Sequence, residues 1–175
     1  RGLGDVYKRQ ELEVRMKRCG TAAAFLFMMP GPKMMWEFGE MGYDISIQSK
    51  EGTDELSSSY EGETKPPHWE FLEVPERKNL FETYCKLLNL REQYAHVISD
   101  GEFVGNVDET DWPIRRIEIT HPDLHFVLVG NFGTATNICI PNLNNGEDWY
   151  DFMTGKSETG GPFSLPAGEF RLYIN

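Results

Sequence analysis

Three carboxylates crowd one short run: Glu37, Glu40 and Asp44 stand among Trp36, Phe38 and Tyr43. Paired carboxylates act as nucleophile and acid/base when they flank one bond, roughly 5 Å apart. Neighbours on a single loop do not straddle a bond in that way. The plainer reading of Glu40 is a carboxylate that satisfies backbone donors and neighbouring charges at the end of an element. The alternative is a contact on the substrate side. His121 and His125 have the spacing of a metal pair, but they flank the start of a strand with Pro122 between and no third ligand beside them. No metal site is assigned to them. Cys19, Cys85 and Cys139 are widely spaced, odd in number and contain no C-x-x-C, which reads as buried free thiols.

The elements that would position these residues follow from periodicity. Leu12, Met16 and Cys19 fall at helical spacing, and Gly20 is placed to stop that helix. The continuous apolar run Ala22–Met29 predicts a strand buried on both faces, delivering the Pro30–Glu40 loop. Residues 42–74 read as a long loop, Gly-, Ser- and Glu-rich from Gln48 to Lys65. Pro75 opens a helix that runs to about Gln93, with an apolar stripe of Leu80, Phe81, Tyr84, Leu87 and Leu88. Beyond residue 94, short strands are predicted around Ile117–Ile119, Phe126–Val129, Thr136–Ile140, Trp149–Phe152 and Gly168–Ile174. Turns such as Asn144-Asn145-Gly146 separate them, the pattern of an antiparallel sandwich.

Charge and length narrow the classes of function. The chain has 175 residues and a net charge of −11, which disfavours nucleic acid as a partner. No apolar run is long enough to span a bilayer. Asp5-Val6-Tyr7-Lys8-Arg9-Gln10 can be encoded by a transposon end sequence used in sequencing-library preparation. Residues 1–10 are therefore set aside as a non-native scar, with native sequence expected from about Glu11 and starting mid-protein.

The run Pro30-Gly31-Pro32-Lys33-Met34-Met35-Trp36-Glu37-Phe38-Gly39-Glu40, with the apolar segment before it, resembles the eighth barrel strand and following loop of the alpha-amylase family of glycoside hydrolases (family 13). The continuation Met41-Gly42-Tyr43-Asp44 is similar to that of bacterial members. Lys65-Pro66-Pro67-His68-Trp69 resembles the stretch before the family's last barrel helix, and Leu88-Asn89-Leu90-Arg91 resembles the end of that helix. Val129-Gly130-Asn131-Phe132, Trp149-Tyr150-Asp151 and Thr154-Gly155 look like parts of its C-terminal β-domain. Relatives carry Arg-Thr-Asp-Pro before the Lys-Pro pair, where this chain has Glu61, Gly62, Glu63 and Thr64.

The resemblance implies an α/β plus all-β fold. Residues 11–93 would be the last strand–helix unit of a (β/α)8 TIM barrel, and residues 94–175 an antiparallel β-sandwich domain. It implies a retaining two-carboxylate enzyme cleaving α-1,4-glucosidic bonds in starch or maltooligosaccharides. The family's reactive carboxylates follow earlier barrel strands, so no catalytic residue is assigned here and the chain alone is expected to be inactive. No cofactor is implied, and any calcium site would lie in the preceding part. Trp36, Tyr43 and Trp69 are candidates to stack on sugar rings, with core packing as the alternative. His68 is a candidate donor to a sugar hydroxyl, or else a solvent-facing imidazole. Glu40 completes the substrate-side set. A different class of reading makes residues 94–175 a non-catalytic carbohydrate-binding or structural module, with Trp112, Trp149 and Tyr150 as its platform.

Overall fold

Helix α1 spans Leu3–Met28 in the computed structural model, so residues 22–29 do not form the predicted strand. The structure describes residues 3–50, 55–62, 67–106, 113–144 and 148–175, and of residues 3–11 only the helical backbone. The apolar run carries a helical period as well as a continuous one. Met16, Gly20, Ala23, Ala24, Phe27 and Met28 are buried, three or four positions apart or adjacent, along one face. Ala, Leu and Met are strong helix formers, and the segment packs its side chains on β3 rather than pairing with a strand. Gly20 is accordingly not a stop. A Cβ there would touch Leu80 Cδ1 and Thr83 Cγ2, each at 3.6 Å, so the glycine sits where α1 crosses the next helix.

Helix α2, Pro75–Gln93, lies where the sequence predicts it. Its buried side chains are Arg77, Leu80, Leu87 and Leu90, while Leu88 of the predicted stripe is exposed. A short helix α3, Ala95–Asp100, follows and buries Val97 and Ile98.

The rest is antiparallel sheet. Six strands pair in the order β1 (Glu102–Asn106), β2 (Ile114–His121), β3 (Leu124–Asn131), β8 (Phe170–Ile174), β5 (Trp149–Asp151) and β6 (Lys156–Glu158). β4 (Asn137–Cys139) and β7 (Phe163–Leu165) form a separate two-stranded sheet. The five predicted strands all appear, β2 and β3 longer than predicted and β4, β5 and β8 slightly shorter. β1 and β6 lack apolar alternation, and the alternation of β7, Phe163-Ser164-Leu165, is only three residues long; none of the three is among the predicted strands. Turn residues 145–147 lie outside the described residues.

Alternation along β3 defines the layers. Phe126 and Leu128 join a core with Ala24, Phe27, Leu87, Leu90 and Ile98 from the helices. Val127 and Val129 face the other way, packing with Cys139, Trp149, Leu165 and Tyr173. The six-stranded sheet thus has helices on one face and the small sheet on the other. The first core draws on residues both before and after position 94, so packing is continuous across that point. Of the thiols, Cys139 is buried and Cys19 partly so, but Cys85 is exposed on α2, which corrects the expectation of three buried thiols. No described helix is long and apolar enough to cross a membrane.

Candidate functional site

The loop after α1 runs alongside α2 and is fastened to it at both ends by arginines. Arg91, in the last turn of α2, donates to the carbonyls of Phe27, Met29 (2.9 Å) and Gly31 (2.7 Å). These carbonyls, at and just past the end of α1, have no intrahelical partner, so a cation there satisfies them and complements the helix dipole. Arg77, in the first turn of α2, donates to the carbonyls of Met41 (3.0 Å) and Gly42 and forks onto Asp44 at 2.9 and 3.0 Å. Its guanidinium also lies 4.1 Å from the centre of the Phe71 ring. The two arginines are about four turns, or about 21 Å, apart along the helix.

Between these anchors, Phe38 adopts a left-handed backbone at φ 56°. An L-residue there costs about 1–2 kcal/mol, which the turn offsets with local bonds. Gly39 N donates to Trp36 O at 2.9 Å, and Met41 N and Tyr43 N donate to Phe38 O at 3.0 and 3.1 Å. The turn aims the Phe38 ring inward, where it is 6% exposed.

Phe38 is the hub of an aromatic cluster. Trp69 meets it edge-on at 5.0 Å and Tyr43 stacks at 6.3 Å. Tyr43 in turn contacts His68 (5.8 Å) and Phe71 (6.1 Å), and His68 stacks on Phe71 at 5.0 Å. His68 Nδ1 is 2.5 Å from Glu70 Oε1, and its Nε2 is buried without a hydrogen-bond partner among the described residues. The imidazole therefore faces the cluster rather than solvent. Its hydrogen bond holds the Glu70 carboxyl below the usual carboxylate range.

Of the five sequence-predicted residues, the structure brings Tyr43, His68 and Trp69 together. Trp69 keeps 64% of its surface open, so one ring edge packs while much of the indole stays available. Trp36 stands apart at 67% exposure, next to Met34 and Met35. Glu40 is half-buried in the turn, and its charge adds to the burial that pushes the Tyr84 phenol up. Lys65 and Pro66 lie outside the described residues.

Sequence reasoning missed Phe38, Phe71, Asp44 and both arginines as organisers of this region. A signal was present: positions 77, 80, 84, 87 and 91 recur every three or four residues, which sets Arg77 and Arg91 on the same stripe as Leu80, Tyr84 and Leu87. Arginines on an apolar stripe need acceptors, and carbonyls just past a helix supply them.

A cleft of about 390 Å³ opens elsewhere, between α1, the start of α2 and β8, with Met16, Leu80 and Phe170 among its lining residues. None of the five predicted residues lines it. On its rim, Lys17 bridges Glu13 at 2.8 Å and Glu169 at 3.0 Å.

On the sheet, Trp149 is buried, its ring 4.8 Å from that of His125, while Tyr150 is exposed and Trp112 lies outside the described residues. Trp149 and Tyr150 alternate across β5 and so cannot share a platform face. His125 bonds Glu118 at 2.6 Å rather than pairing with His121.

No family profile and no curated protein matches the sequence. Solved structures do share the fold. AmyP in complex with maltose superposes at a TM-score of 0.67, with 14% identity over 91% of this chain and 34% of its own. An Anoxybacillus alpha-amylase gives 0.63 and 15% over 90% and 32%, and the Bacillus licheniformis trehalose-6-phosphate hydrolase gives 0.61 and 16% over 91% and 39%. The chain spans about a third of the length of the structures it matches. Its mostly antiparallel sheet with flanking helices is therefore the fold of one part of an alpha-amylase-family (family 13) glycoside hydrolase.

Proposed function

We propose that this chain is the C-terminal part of an alpha-amylase-like glycosidase that hydrolyses α-1,4-glucosidic bonds in starch or maltooligosaccharides. The observation that carries this reading is fold likeness across nine-tenths of the chain to AmyP, crystallised with maltose and with maltotriose. A Geobacillus alpha-amylase of the same fold was crystallised with acarbose. In this reading residues 11–93 belong to the catalytic domain and residues 94–175 form a supporting sheet domain. The two reactive carboxylates of a retaining mechanism lie outside this chain. In this reading exposed Trp69, backed by Tyr43 and His68, forms one wall of the sugar cleft, and exposed Trp36 and half-buried Glu40 stand on the loop that leads into it.

The test is to assay the longer protein that contains this sequence for reducing-sugar release from starch and maltooligosaccharides. Release that is lost on mutating its two reactive carboxylates is the expected result. No release from any α-glucan sinks the proposal. The 175-residue chain alone should leave a chromogenic maltoside intact, and turnover by it would show that the reactive groups are internal.

A further inference from the structure

Helix α3 and the β2–β3 turn bring two imidazoles and a carboxylate to one point on the surface. His96 lies in the first turn of α3, and His121 and Asp123 stand either side of Pro122 where β2 turns into β3. His96 Nε2 is 3.1 Å from Asp123 Oδ2, and His121 Nδ1 is 3.7 Å from the same oxygen. One ligand atom from each of the three residues lies within 4.8 Å of the others.

These separations suit a metal ion. Zinc bound tetrahedrally at about 2.1 Å from nitrogen and oxygen holds its ligand atoms about 3.4 Å apart. The observed 3.1 and 3.7 Å bracket that edge, so modest side-chain adjustment closes the triad on an ion. Of the two imidazoles, His121 already has the protonation state a metal needs, whereas His96 Nε2 must first release the proton it donates to Asp123 Oδ2. The Asp123 backbone N–H donates to His121 Nδ1 at 3.1 Å, so that nitrogen carries a lone pair and no proton. A metal takes over this lone pair at the cost of one exposed hydrogen bond. The imidazole rings meet at 84° with centres 5.4 Å apart, so their contact is edge to face, not flat stacking.

We propose that His96, His121 and Asp123 form a binding site for zinc or a similar borderline transition-metal ion, with the fourth position open to water. Two imidazoles and one carboxylate favour such ions over calcium or magnesium, which take oxygen ligands. The ion clamps α3, the link from α2 into the sheet, onto the β2–β3 hairpin. This site is independent of the glycosidase reading and of the aromatic cluster.

The test titrates the full 175-residue chain with zinc chloride, with calcium chloride as control, by calorimetry. The expected result is one zinc per chain and no calcium heat. His96→Ala and His121→Ala should each weaken zinc binding by about tenfold or more, comparable to or beyond the loss of an outer-shell partner. Zinc at about 100-fold over Kd should raise Tm by about 5–10 °C. Cys85→Ser should bind as the parent chain does. Unchanged affinity in both histidine variants, loss of binding in Cys85→Ser, or equal binding of calcium overturns the proposal. Cobalt added to the unmutated chain gives a reading that needs no variant. Weak visible bands alone support nitrogen and oxygen ligation, whereas an intense near-ultraviolet thiolate band overturns it.

Discussion

Arg77 and Asp44, far apart in sequence, meet in a two-pronged bond of 2.9 and 3.0 Å, and the arginine is 7% exposed while the aspartate stays partly open to water. The same guanidinium holds two backbone carbonyls, so the ion pair is the smaller part of what it does. Arg77→Ala strands the Met41 and Gly42 carbonyls and should cost about 2–4 kcal/mol, whereas Asp44→Asn should cost about 1 kcal/mol. Chemical denaturation of both variants checks this. Equal losses would mean that the charge pair, not the carbonyl bonds, carries the anchor.

Arg91 predicts a separate effect at the other end of the loop. Arg91→Ala removes the donor to Phe27, Met29 and Gly31 and should cost about 1–3 kcal/mol. Backbone amides of residues 28–36 should exchange faster, with little change in the sheet strands. Hydrogen exchange that accelerates evenly through the chain would refute a local anchoring role.

Trp69 should separate sugar contact from folding. Its exposed indole rests one edge on Phe38, an aromatic contact worth about 1 kcal/mol. In the longer protein, Trp69→Ala should weaken maltotriose binding by about five- to tenfold while lowering Tm by only a few degrees. Phe38→Ala, which removes the hub, should lower Tm more. Unaltered maltotriose affinity in Trp69→Ala would take the residue out of the cleft wall.

Glu118 ties stability to acid. Burial pushes its carboxyl up, but hydrogen bonds and charge from Arg116 and His125 outweigh this and leave it below its ordinary value of 4.5. A carboxylate held low contributes stability above its unfolded pKa and loses it as pH falls through the folded one. Glu118→Gln should therefore be less stable than the parent chain at pH 7, by under about 1 kcal/mol given solvent screening, and the gap should close below about pH 4. Tm measured from pH 7 to 3 decides it, and a gap that stays constant would rule out this group.

Elements whose signals were local were legible in the sequence. Pro75 at the start of α2 and the alternation of Ile117 with Ile119 needed only neighbouring residues to be read. The segment 22–29 was misread because a continuous apolar run fits a buried strand and a buried helix equally, and length decided for helix once it joined the turns before it. β6, Lys156-Ser157-Glu158, is exposed throughout and exists because β5 offers it a partner, a fact no local pattern contains. At the site, aromatic residue types pointed to the right neighbourhood. The arginine anchors were hidden because a charged side chain on a helix is ordinarily read as facing solvent.

Strand β3 belongs to both hydrophobic cores, through Phe126 and Leu128 on one face and Val127 and Val129 on the other. With its backbone paired to β2 and β8, this strand meets each layer through side chains alone, so parting either layer from the sheet exposes apolar surface on β3. Calorimetry of the chain should accordingly show one transition rather than two.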